Sequence, residues 1–204
     1  SMIPISLFFN NYLDMFKGFE SAISDFLNKE PVSDDMSPID IALKKYDLIL
    51  SGKRIDIILL YGDELYEIGN WMKQLYAESL GKNGFGYLPV ISQMTQDQHS
   101  VLQLYLDGPN DKFYEFYSAN YQESNNFIDL TLSNHKQAML KTLTNEGLPI
   151  VRISDYFADN EQSIGHQLGY FFTSSILETL LLAHLGGVDP FGQDAVEKQK
   201  KYLK

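Results

Sequence analysis

The sequence predicts an α/β sandwich built on a mainly parallel sheet, and three observations carry that prediction. Ile55 to Tyr61, IDIILLY, is a near-continuous apolar run of strand length, the pattern of a parallel strand buried on both faces. Further strand-like runs alternate along the chain with segments of helical periodicity, which is the order of a layered α/β domain. Ser163 to Gly186 reads as a long apolar helix, with Leu177, Leu180, Leu181 and Leu185 marking it as the central packing element. A chain of 204 residues suffices for one domain with a full core and is too short for two ordinary ones.

Taken in order, Ser1-Met2 reads as a remnant of tag removal ahead of a start codon. Leu7 to Leu27 carries Phe8, Phe9, Tyr12, Phe16, Phe19, Ile23 and Phe26 at mixed spacing, as expected of one or two helices buried on a broad face. Pro31 to Pro38 is a loop. Ser37 can cap a helix from Pro38 to about Leu50, with Pro38 at its first position. The strand Ile55 to Tyr61 ends at Gly62-Asp63, where a helix begins that Gly81 stops. Gly84 and Gly86 precede a second strand, Tyr87 to Ile91. Asp97 can cap a short helix from about Gln98, stopped by Gly108-Pro109; the alternating stretch Val101 to Leu106 also fits a strand, and the helix is preferred.

Lys112 to Tyr117 and Phe127 to Thr131 read as strands on either side of a polar loop, Asn120 to Asn126. Ser133 or Asn134 then caps a helix over His135 to Asn145, Gly147 ends it, and Pro149 to Ile153 is a short apolar strand. After the long helix, a turn at Asp189-Pro190 leads into a last helix from about Asp194. Gln193 and Lys200 lie seven apart on one face of it, and helical side chains lean toward the N-terminus, which brings the Lys200 ammonium back toward Gln193.

Composition narrows the function. The net charge is −11, and no cluster of Lys and Arg is available to neutralise a phosphate backbone, so no nucleic-acid partner is expected. There are no cysteines, which excludes disulfides and thiolate metal sites and fits a reducing compartment. No apolar run reads as a membrane span and no signal-peptide layout is present, so the expectation is a cytoplasmic protein without a membrane partner. His99, His135, His166 and His184 show no metal-ligand spacing, and neither a metal nor a cofactor is expected. Among them His99 differs, because it lies in the first turn of a short helix that follows a sheet edge, where an imidazole faces a ligand crevice.

The stretch Trp71 to Lys82, WMKQLYAESLGK, holds the most informative acid. Leu65, Ile68, Met72 and Leu75 form an apolar stripe, and Gln74 and Glu78 lie four apart on the other face. Glu78 falls in the last helical turn, where the macrodipole opposes negative charge and a carboxyl can take and return a proton. Read by itself, this stretch also fits a solvated helix-end acid, just as Lys200 and Lys201 fit a solvated cationic helix end.

Three separated stretches together resemble one family. WMKQLYAESLGK, TQDQHSVLQLYLDGP and VDPFGQDAVEKQK, in this order, are similar to the C-terminal half of the glucose-6-phosphate isomerases. The resemblance implies a three-layer αβα sugar isomerase domain with a mainly parallel sheet over residues 1–204. Within it, 1–54 would be a helical lead-in, 55–185 the core and 186–204 the C-terminal active-site helix. It implies that Glu78 is the base that shuttles the proton through a cis-enediol, that Gln74 contacts the substrate phosphate and that Gln193 contacts the ligand. It also implies that His99, donated across the interface of a homodimer, opens the sugar ring together with Lys200. One departure is Phe191-Gly192-Gln193 followed by Asp194-Ala195, where the family has FDQ and a pair of small residues; Gly192 loosens that turn.

The family's other half carries an arginine motif for the enediolate and a Ser/Thr-rich phosphate loop. Arg54 and Arg152, the two arginines of this chain, match neither context, so the expectation is the C-terminal part of a longer enzyme, inactive by itself. The competing expectations are a non-catalytic sugar-phosphate-binding or regulatory module, favoured by Gly192, and a domain that serves only in dimerisation.

Overall fold

The computed structural model describes residues 12–30, 36–119, 127–156, 163–200 and 202. The expected helix segment before Tyr12, the bulk of the loops at 31–35 and 120–126, and Lys201 lie outside the described residues. In chain order the elements are α1 (Tyr12–Asn28), α2 (Pro38–Leu50), β1 (Ile55–Tyr61), a 3₁₀ turn (Asp63–Leu65), α3 (Tyr66–Leu80), β2 (Leu88–Met94), α4 (Gln96–Ser100) and α5 (Leu102–Asp107). They continue with β3 (Lys112–Ala119), α6 (Phe127–Asn145), β4 (Ile150–Tyr156), α7 (Ile164–Leu185) and α8 (Asp194–Lys200).

The four strands form one sheet in the order β2-β1-β3-β4, and every pair is parallel. From β1 the chain moves one way to β2 and then back past β1 to β3 and β4. A right-handed crossover keeps its hand only by changing faces when it changes direction. Accordingly, α3 packs on one face with Ile58 and Leu60 of β1, while Tyr105 of α5 and Met139 and Leu143 of α6 pack on the other with Ile57, Leu59 and Tyr61. Helices α2 and α7 join α3, which completes three αβα layers around strands buried on both faces. Outside them, α1 lies on α7. A Cβ on Gly18 would come 2.1 Å from the His166 carbonyl oxygen and one on Gly169 2.2 Å from that of Met15, so this backbone approach needs glycine on both helices.

Helix α2 begins at Ser37 with Pro38 at its first position. Ser37 Oγ accepts from Asp40 N at 3.3 Å, and Ser37 N donates to Asp40 Oδ2 at 3.0 Å, a reciprocal cap. Asp97 does not cap α4, which starts one residue before it behind Thr95. Its carboxylate instead accepts from Ser92 Oγ and Gln93 N, both at 3.0 Å, and so ties α4 to the end of β2. The strand expected at Phe127 to Thr131 is the start of α6, and Ser133 and Asn134 lie inside that helix. Phe127, Ile128 and Leu130 are exposed, so no sheet claims them, and Thr131 Oγ1 satisfies itself on the Phe127 carbonyl at 2.7 Å.

Helix α7 is the central packing element, as expected, with a different buried stripe. Phe171, Ser174, Ser175, Glu178, Thr179, Leu182 and Ala183 are buried, whereas Leu177, Leu180, Leu181 and Leu185 are not the residues that define the buried face. By length and composition α7 also qualifies as a membrane span, contrary to the expectation that no run would; here it lies in the core between α1 and the sheet.

The polar stripe of α7 has a partner set. Between the sheet and the α2, α3 and α7 layer, Lys45 Nζ meets Glu115 Oε1 at 2.5 Å and Glu178 Oε1 at 2.8 Å, with Asp56 Oδ2 4.0 Å away. Arg152 reaches Glu115 with Nε at 3.3 Å, Glu178 with Nη2, and the Tyr117 hydroxyl with Nη1 at 2.9 Å. Between β3 and β4, Tyr114 pairs with Ile150 and Glu115 with Arg152, so Val151 is the extra residue of a bulge in β4 that re-aims Arg152 toward this cluster. All five charged residues are buried. Burial disfavours the charge on Glu115, but Lys45 and Arg152 outweigh it and hold its carboxyl down to about 2. Burial and the neighbouring charge of Glu115 push Asp56 well above the carboxylate range. The balance of charge agrees, because two cations already face two other carboxylates and a third anion would be uncompensated.

Candidate active site

Glu78 occupies the last turn of α3, ahead of Gly81, which caps the helix by donating its N–H to the Ala77 carbonyl at 3.1 Å. On its inner face α3 buries Met72, Tyr76 and Leu80, and Trp71 packs on Phe172 of α7 with ring centroids 4.5 Å apart. The opposite face carries Gln74 and the half-buried Glu78 toward solvent. One turn earlier, Gln74 Nε2 donates to Glu78 Oε1 at 3.1 Å. Gln193, 115 residues later, donates its Nε2 to Glu78 Oε2 at 2.8 Å. Each carboxylate oxygen thus accepts from one neutral carboxamide, which fixes its direction and leaves lone pairs for a proton donor.

The segment that delivers Gln193 begins where α7 ends. Val188 is buried and donates to the Ala183 carbonyl at 3.0 Å, and the turn then passes through Asp189, whose Oδ1 accepts from Phe191 N at 3.0 Å. The Gln193 carbonyl accepts from Val196 N at 3.0 Å and opens α8. Gly192 does not unseat the site: Gln193 sits on Glu78 with glycine in place, and a Cβ at 192 would lie 3.5 Å from Asp189 Oδ2, an ordinary contact. Lys82 Nζ donates to the Asp189 carbonyl and joins the end of α3 to this turn. Lys82 and Asp189 form a contact that the sequence reading did not foresee, although both fall inside the stretches singled out.

Of the five expected site residues, the structure brings Glu78, Gln74 and Gln193 together. Lys200 ends α8, which Gln193 immediately precedes, but does not lean back onto Gln193, since its Nζ takes the nearer Glu197 Oε1 at 2.5 Å. His99 is exposed at the far edge of the sheet. Helix α3 runs back along β1, so Glu78 lies by the amino ends of the strands, and β2 then returns to its carboxyl end before α4 begins. Seven strand residues at about 3.3 Å each separate the two ends by on the order of 20 Å. The remaining histidines have local partners or lie at a helix end. His135 Nδ1 is 3.1 Å from Gln98 Oε1, His166 Nε2 is 3.2 Å from Ser21 Oγ, and His184 closes α7. Among the described residues no group of His, Asp and Glu could hold a metal ion.

No protein-family model matches the chain. It is 35% identical to the glucose-6-phosphate isomerase of Methanocaldococcus jannaschii, over 74% of this chain and 40% of that protein. It is 34% identical to the probable glucose-6-phosphate isomerase of Methanococcus maripaludis, over 74% and 36%. With that of Parabacteroides distasonis it shares 28% identity over 99% of its length and 48% of the relative's. The crystal structure of a hypothetical protein, TT0462, from Thermus thermophilus has the same fold, with a TM-score of 0.71 at 22% identity over 93% of this chain and 49% of that one. The chain thus spans less than half the length of these curated relatives. By its sequence along 74% or more of its length, this chain is related to the glucose-6-phosphate isomerases.

Proposed function

We propose that this chain is the part of a glucose-6-phosphate isomerase that carries the proton-transfer base, interconverting glucose 6-phosphate and fructose 6-phosphate through a cis-enediol. The observation that supports it most is the seating of Glu78 between Gln74 and Gln193, because a carboxylate held by neutral donors is oriented without having its negative charge cancelled. In the reaction Glu78 takes the proton from C2 of the opened aldose, and the electron pair left behind forms the C1–C2 double bond. The charge pushed onto O1 is met by the proton that the O2 hydroxyl gives up, so that C2 becomes the carbonyl when C1 is protonated. The same carboxyl then returns the proton to C1. Ring opening comes first and needs a proton donor and an acceptor at the ring oxygen and the anomeric hydroxyl, for which His99 and Lys200 together are chemically suited. Gln74 would turn from Glu78 to the substrate phosphate.

The separation of His99 from Glu78 within one chain supports donation of His99 by a second copy in a homodimer. The enediolate arginine and the phosphate loop would come from a part of the isomerase outside these residues, in its N-terminal half, and the work would be cytoplasmic. The non-catalytic module drew its support from Gly192, and the seating of Gln193 removes that support.

The test is a coupled assay at millimolar fructose 6-phosphate on this chain with and without its separately expressed N-terminal half, together with Glu78→Gln. Activity is expected only from the pair. The substitution should lower it by about two to four orders of magnitude and slow solvent isotope exchange at C2 equally. Near-normal exchange in Glu78→Gln would remove Glu78 from the role of base.

A further inference from the structure

We infer that Lys82 is a positioning residue for this site, a role that rests on the isomerase reading above. Its ammonium docks the turn after α7 onto the end of α3 and thereby seats Gln193 on Glu78. Helix α8 cannot do this by packing, for its described side chains are all exposed and it has no broad contact with another described element. What holds the segment is a short series of contacts at its root. Phe85 N donates to the Lys82 carbonyl at 2.8 Å, closing a tight turn that presents both side chains to the segment after α7. The Phe85 ring lies against Gly186 so closely that an added Cβ there would come within 2.4 Å of it. Lys82 grips Asp189 three residues further on, at the main-chain carbonyl rather than the carboxylate. That choice leaves Asp189 Oδ1 free to accept from Phe191 N and shape the turn that leads to Gln193.

The donor is suited to its place. A cation just beyond a helix C-terminus is favoured by the helix dipole, and a charge-assisted bond to a carbonyl is stronger than a neutral one. Lys82 is therefore stably placed whether or not the segment is docked, while the docking of Gln193 depends on Lys82.

The experiment uses this chain labelled with 15N. In Lys82→Met, which keeps the stem and removes the ammonium, the Gln193 side-chain NH2 signals should move to the positions of a solvated carboxamide. The backbone order parameters of Phe191 and Gln193 should fall from about 0.85 to below about 0.6. Lys82→Arg should restore both. Gly186→Ala, which forces the Phe85 ring aside without touching any charge, should reproduce the loss. In the isomerase assembled with its N-terminal half, Lys82→Met should lower kcat about ten- to a hundredfold with KM changed less than about threefold. Unchanged Gln193 signals in Lys82→Met would overturn the proposal, as would loosened signals with an unchanged kcat. Failure of the isomerase reading has a separate sign, which is activity that survives Glu78→Gln.

Discussion

Glu78 is oriented by two carboxamides that no neighbour in sequence could both supply, and each should matter differently to turnover. Gln74 is replaceable by solvent on an exposed helix face, whereas Gln193 also anchors the turn into α8. Gln193→Leu should therefore cost about tenfold or more in kcat, as expected when a reacting group loses its alignment, with a smaller change in KM, read by steady-state kinetics on the assembled isomerase. The pairing of Gln74 with Glu78 was legible from their spacing of four. The approach of Lys200 to Gln193, expected from their spacing of seven, does not occur, because a competing acid three residues away, Glu197, captures the ammonium first. The buried cluster left only half a signal. Lys45 interrupts the apolar stripe of Ile41, Ala42 and Ile49, and Glu178 interrupts a leucine-rich helix, but their partners lie in distant segments and no local pattern names them.

Within that cluster Asp56 and Glu115 should respond to pH in opposite senses. Asp56 is neutral when folded and its folded value is raised, so the stability it contributes is full below the unfolded value of about 3.9 and is lost as pH rises through the folded value. Glu115, held down to about 2, contributes stability that is present above its unfolded value and lost as pH falls through about 2. Asp56→Asn preserves the neutral form at every pH. It should raise the urea midpoint at pH 8 and change it little at pH 4. A loss of stability at pH 8 would mean that Asp56 is ionised among these groups.

At the level of elements, helices with chemical punctuation were readable and those without it were not. Ser37, Pro38 and Asp40 mark the start of α2 by reciprocal hydrogen bonds that involve only neighbours in sequence, so the expected and observed bounds coincide. Ser37→Ala should lower unfolding stability by about 1 kcal/mol in urea titrations, with Ser37→Asp retaining most of it. Helix α6 has no such mark at its described start. Over Phe127 to Thr131 the residues alternate from Ile128 onward and include two β-branched residues and an aromatic one, which is the local description of a strand, and a five-residue window cannot separate period two from period 3.6. What decides the matter lies further along, where Met139 and Leu143 fall four apart and bury against β1 and β3. Similarly, the leucine run of α7 does not mark its buried stripe, because that stripe combines Ser175, Glu178 and Thr179 with Phe171, Leu182 and Ala183.

For the molecule as a whole, parallel topology puts a constraint on catalysis that no single residue reveals. A helix following a parallel strand ends at the strands' amino edge, and the element after the next strand begins at their carboxyl edge, so Glu78 and His99 point from opposite ends of one domain. A site that uses both must draw them from two copies, and a two-fold dimer then holds two equivalent sites, each with Glu78 from one copy and His99 from the other. This arrangement predicts complementation. Glu78→Gln and His99→Ala, each assembled with its N-terminal half, should be nearly inactive as separate homodimers. In a mixed dimer one site collects both substitutions and the other collects neither. Random exchange makes half the dimers mixed, each with one intact site of two, so the activity should recover to about a quarter of that of the unsubstituted protein. Mass spectrometry of differently tagged copies would measure the mixed fraction independently. If mixed dimers form and the activity stays at the level of the parents, His99 serves the site of its own chain or none, and the dimeric site proposed for this fold is wrong.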